Sequence, residues 1–155
     1  MKNYFILCLC LFLILFAIYS CDKKTTNISD AKSPEQFLEL YKKGITQKNS
    51  KQIFDLYYLE GSDSIAIEQA KIFSEDITQN ILNIKEIKIE KFLNEKKMDV
   101  ELASGKKYKL NINPVFLLKI YSTDKATGKF EIGQPVGIVN GNYYIAGWIP
   151  NNEHK

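Results

Sequence analysis

The residues to weigh first for chemistry are Asp55, Tyr57 and Tyr58, a carboxylate within three positions of two phenols, with Asp76 and Asp99 as further acidic candidates. A carboxyl group in an apolar pocket has a raised pKa and can act as a base near neutrality. Only closeness in sequence joins these residues. The plainer reading leaves Asp55 on the wet face of a helix, Tyr57 in the core and Tyr58 half exposed. Other chemistry has little to work with. The single histidine, His154, lies among the last residues, where chains fray. There is no Asp-x-Asp-x-Asp-Gly calcium loop, Gly-rich phosphate cradle or Gly-x-Ser-x-Gly elbow. No catalytic residue, metal ligand or cofactor is therefore assigned. All 21 basic residues are lysines, which argues against a nucleic-acid or phosphate site built on the guanidinium fork. The paired lysines Lys42-Lys43, Lys96-Lys97 and Lys106-Lys107 read as solvated surface.

The three cysteines lead back to the element that carries them. Tyr4 to Tyr19 is an unbroken apolar run after Lys2, containing Cys8 and Cys10 and closing on Ile18-Tyr19-Ser20-Cys21. At about 16 residues it is long for a signal-peptide core and short for a spanning helix. Length alone leaves a cleaved signal, an uncleaved anchor and simple secretion open, and all three place the domain outside the cytoplasm. The end of the run resembles a bacterial lipoprotein signal peptide, with small Ser20 before the cut and Cys21 after it. Tyr19 departs from that pattern, which usually has a small residue there. The resemblance implies removal of residues 1–20, acylation of the Cys21 sulfur and a lipid anchor in the cell membrane or outer membrane. The mature chain would then keep no free thiol and no internal disulfide.

Residues 21–32 read as the lipidated cysteine and a flexible polar tether, reaching roughly 35 Å when stretched at about 3.4 Å per residue. The globular domain is expected over 33–149, with a polar tail over 150–155. Ser33-Pro34-Glu35-Gln36 is a capping box opening a first helix to about Lys48, with Phe37, Leu38, Tyr41 and Ile45 on one face. Gly44 weakens it by about 1 kcal/mol relative to alanine. A second helix is expected from Lys51 to about Tyr58. A third, after Ser62 or Asp63, carries the stripe Ala66, Ala70, Phe73, Ile77 and Ile81. The period then changes to two. Ile84 to Phe92 reads as a strand, and Met98-Val100-Leu102 with Tyr108-Leu110-Ile112 as a hairpin turning at Ser104-Gly105. Val115 to Tyr121 reads as a central strand covered on both faces. Lys129 to Val139 should be a strand bent near Gly133, Pro135 and Gly137, and Asn140-Gly141 a tight hairpin into a last strand, Asn142 to Trp148.

The expectation is an α+β domain, three N-terminal helices packed on a curved antiparallel sheet of five or six strands in a cone-like roll. Ser33-Pro34-Glu35-Gln36-Phe37, Phe54-Asp55-Leu56-Tyr57 and the hairpin Pro135 to Tyr144 resemble the nuclear transport factor two-like (cystatin-like) fold. The resemblance implies a sheet wrapped around a long helix with a pocket at the open end. It also implies that an isomerase or dehydratase of this shape would use a pocket carboxylate with tyrosines. Such folds host unrelated functions. Tyr57, Phe73, Tyr108, Phe116, Tyr144 and Trp148 are the candidate pocket lining, suited to a small amphiphile or peptide segment; the plainer reading is sheet core and a pairing face. The expected function is a non-catalytic, ligand- or protein-binding envelope lipoprotein. A proton-transfer enzyme and a purely structural, self-associating envelope protein are the alternatives. Its partners would be the membrane through the N-terminal lipid, a homodimer or envelope protein, and an unidentified small molecule, with no nucleic acid.

Overall fold

The computed structural model describes residues 30–79, 83–92, 99–101, 105–124 and 128–151. Ser20, Cys8, Cys10, Cys21, most of the tether, Ile81, Met98, Leu102, Ser104 and His154 lie outside them. The described elements are α1 (Pro34–Thr46), α2 (Ser50–Phe54), β1 (Tyr57–Tyr58), α3 (Ser64–Gln79), β2 (Ile84–Lys91), β3 (Asp99–Glu101), β4 (Lys107–Leu110), β5 (Pro114–Asp124), β6 (Gly128–Val139), β7 (Asn142–Ala146) and β8 (Trp148–Pro150).

Each helix starts on a side chain that satisfies an otherwise unpaired amide. The Ser33 hydroxyl accepts from Gln36 N at 3.2 Å, and the Gln36 side chain accepts from Lys32 N at 2.8 Å. Asn49 caps α2 through Gln52 N, and Asp63 caps α3 through Ala66 N, both at 3.0 Å. The second helix is shorter than the sequence suggests. It stops at Phe54, and Tyr57–Tyr58 form a strand instead of its last turn. That strand runs parallel to β7, Tyr57 opposite Ile145, so tertiary pairing overrides the local helical pattern. The three described helices are consequently not an uninterrupted N-terminal block.

Nor is there one antiparallel sheet. β1-β7-β6-β5-β2 make a mixed five-stranded sheet, and β3-β4-β8 a separate three-stranded antiparallel ribbon. The division falls at Gly147, where the expected single last strand leaves the large sheet. A Cβ there would lie 2.4 Å from the Tyr58 carbonyl, so only glycine fits that approach. Asn111 fixes the crossing: its amide accepts from Gly147 N at 2.8 Å and donates to the Tyr58 carbonyl at 2.6 Å. The Asn140-Gly141 hairpin is as the sequence reads. Both residues have positive φ, 50° and 78°, and Val139 pairs with Asn142. The expected bend near Gly137 appears as a register shift in the opposite strand, between Pro114 and Phe116.

One face of the large sheet carries the core. Phe116, Leu118, Ile120, Val136 and Ile145 are buried with Phe37 and Tyr41 of α1, Ile53 of α2 and Ile77 of α3. The opposite face of β5 is not covered as the continuous apolar run suggests. Val115 is 45% exposed, and Lys119 stands beside Glu90 and Glu131 of the neighbouring strands. The domain also begins before Ser33. Ala31 is fully buried, and its carbonyl accepts from Tyr143 N at 3.0 Å, so the last tether residues belong to the fold.

Candidate functional site

α3 crosses the inner face of the large sheet without filling the space beneath it. Ala66 and Ala70, the small residues of its stripe, together with Phe73, roof a cavity of about 260 Å³. Ile132 and Ile145 form the floor, and Tyr57 and Gln134 supply its buried polar groups. Gln69, exposed, and Trp148, half-buried, stand at the rim. No lining residue is charged. Ala66, Gln69 and Trp148 also border a neighbouring apolar groove of about 200 Å³, which Ile65, Val100 and Tyr108 complete.

The polar groups are ordered by one chain of hydrogen bonds. The Tyr41 hydroxyl donates to Gln134 Oε1 at 2.9 Å, and Gln134 Nε2 donates to the Tyr57 hydroxyl at 2.6 Å. Tyr41, Gln134 and Tyr57 are 0%, 6% and 7% exposed. Burial pushes the Tyr57 phenol well above its ordinary pKa, although the Gln134 bond opposes the shift, and burial followed by the nearby Tyr57 pushes Tyr41 up likewise. Both are therefore neutral hydroxyls over the physiological range. Set beside known proteins, the chain matches no family model, no curated protein and no solved structure.

The candidate lining residues divide. Tyr57, Phe73 and Trp148 meet at the cavity, while Tyr108 lines the adjoining groove with its hydroxyl donating to Asp63 Oδ2 at 3.0 Å. Phe116 and Tyr144 do not join them. Phe116 lies in the core with its ring centroid 5.9 Å from Phe37, because strand alternation sets it in line with Leu118 and Ile120. Tyr144, one residue from the inward Ile145, packs against Tyr58 on the other side, the rings tilted at 57° with centroids 5.7 Å apart. The acidic candidates are elsewhere too. Asp55 is bridged to Lys51 and lines a separate surface depression that has no tyrosine in its walls. Asp99 is exposed on β3, and Asp76 is not part of the cavity. The turn after α2 separates Asp55 from Tyr57, and alternation along β1 sends Tyr58 to the opposite face from Tyr57.

Two polar residues matter beyond what the sequence assigns them: Gln134, which it leaves unmarked, and Asp63, which it marks only as a helix start. Gln134 occupies an inward position between Ile132 and Val136, and a polar residue at that parity was the signal available. Asp63 caps α3 while accepting from Tyr108 and from Lys106, the latter at 2.5 Å. The Lys106 ammonium, then the Ala66 amide and Tyr108, hold its carboxyl down at about 2. Among the described residues no group of three His, Cys, Asp or Glu side chains could hold a metal, and no helix is long and apolar enough to cross a membrane.

Proposed function

We propose that this chain is a bacterial cell-envelope lipoprotein, cut before Cys21 and lipid-anchored there, whose domain outside the cytoplasm binds a small neutral molecule without transforming it. The observation that supports binding is the cavity under α3, with apolar walls and a few buried, ordered polar groups. Its volume is just under the roughly 300 Å³ at which drug-sized pockets begin, so the occupant is small. Helix-helix-strand-helix followed by antiparallel strands, with the long α3 over the sheet, supports the cone-like roll of the nuclear transport factor two-like resemblance. Support for the anchor comes from the leader alone, Ile18-Tyr19-Ser20-Cys21 closing an apolar run.

Each half has its own test. In bacteria making the full chain, globomycin or Cys21→Ser is expected to block processing and raise the mass of the accumulated protein. Unchanged mass and unchanged membrane partitioning under both treatments would remove the anchor. For binding, Ala70→Leu is expected to fill the cavity and abolish uptake of small apolar probes while the protein stays folded. Undiminished uptake would place binding elsewhere.

A pairing role has one observation in its favour. Ile65, Ile67 and Ile72 of α3 are 46%, 38% and 41% exposed, which makes that helix a better self-association surface than the charged outer sheet face. Light scattering of the full chain in nanodiscs or mild detergent would test it, and a monomer at all concentrations would exclude it.

A further inference from the structure

The direction of the buried hydrogen bonds sets the chemistry the cavity presents. Because Tyr41 donates to Gln134 Oε1, the amide is oriented with its nitrogen toward Tyr57. Tyr57 then serves as acceptor, and its own O–H proton remains to be given away. Among the described residues no acceptor for that proton is seen, although Tyr57 is buried and lines the cavity. A donor held in this way is costly until it is matched. The lining has no cation to balance a carboxylate or phosphate and no carboxylate to balance an amine. We infer that Tyr57 is the recognition donor of a subsite for a neutral, mainly apolar molecule bearing a carbonyl-type acceptor: a ketone, ester or lactone. The carbonyl oxygen takes the Tyr57 proton, and the hydrocarbon lies against Phe73, Ile132 and Ile145. This rests on the binding reading given above and specifies its ligand class.

Acetophenone and α-methylstyrene have nearly the same shape and differ in C=O against C=CH₂, which makes them a matched pair of probes. Trp148 is the single tryptophan and stands at the rim, so its indole N–H resonance reports occupancy in the full chain held in nanodiscs. Both probes are expected to shift that resonance, with acetophenone saturating at about tenfold lower concentration, the worth of one hydrogen bond to an otherwise unmatched buried donor. Tyr57→Phe is expected to remove this preference and leave α-methylstyrene unaffected. Gln134→Glu provides a second route, because a side-chain carboxyl accepting from both phenols would consume the Tyr57 proton and also erase the preference. Equal affinity of the two probes in the unaltered protein, or a preference that survives both substitutions, would overturn the inference while leaving the cavity a binding site. No shift with either probe would overturn the binding reading along with it.

Discussion

Tyr41 shows how much one hydroxyl can hold. It is fully buried, and its proton is the partner of Gln134 Oε1 deep in the core. Tyr41→Phe leaves that oxygen without its donor and is expected to lower stability by about 1–3 kcal/mol in denaturant titrations; an unchanged midpoint would show that the Gln134 orientation has another source. Gly147 is decided by space. Gly147→Ala puts a Cβ 2.4 Å from the Tyr58 carbonyl and 3.0 Å from Asn111 Nδ2. Backbone must shift, so a loss of about 1–3 kcal/mol is expected by the same measurement. Gly44 makes a similar point with a different outcome for sequence reading. Composition sees only its helix cost, whereas the structure shows α2 docking there, with Ile53 Cδ1 2.6 Å from where a Cβ would stand.

Among the elements, α3 and the small ribbon β3-β4-β8 are joined by the Asp63 carboxylate, which caps the helix and holds Lys106 and Tyr108 beside β4. Its folded pKa of about 2 lies below the ordinary aspartate value of about 3.9. The folded state therefore binds fewer protons than the unfolded chain between those values. Asp63 contributes stability that is fully present above about pH 4 and is lost as the pH falls toward 2. Melting temperature measured from pH 6 to pH 2 is expected to fall on this acid limb, and Asp63→Asn to flatten it. An equally steep limb in the variant would assign the acid sensitivity to other carboxylates. On the outer face, Lys119 stands between Glu90 and Glu131 and links β2, β5 and β6, while Glu90 also accepts from Tyr121. Lys119→Ala takes away the cation between Glu90 and Glu131 and leaves Glu90 with Lys88, so a destabilisation that shrinks as salt is raised is expected in denaturant titrations.

For the whole molecule, the grip on the chain ahead of α1 matters to stability. Ala31 is fully buried and its carbonyl pairs with Tyr143, so the chain is gripped before α1 begins. Ala31→Asp forces an unpaired charge into that seat and is expected to cost about 3 kcal/mol or more in thermal or denaturant unfolding; a small effect would mean that the first described residues peel away freely. The sequence by itself determined what is local. Ser33-Pro34-Glu35-Gln36 starts a helix, Ala66-Ala70-Phe73-Ile77 makes one inward-facing stripe, alternation marks the strands, and Asn140-Gly141 makes a tight turn. Those signals act over a few residues, where backbone sterics and capping bonds dominate. Only the tertiary structure decided that Tyr57–Tyr58 become a strand, that the last strand splits at Gly147, and that Gln134 meets Tyr41 and Tyr57 under α3. Those outcomes depend on contacts between residues far apart in the chain, whose burial and pairing energies outweigh local preference and whose partners no single stretch names.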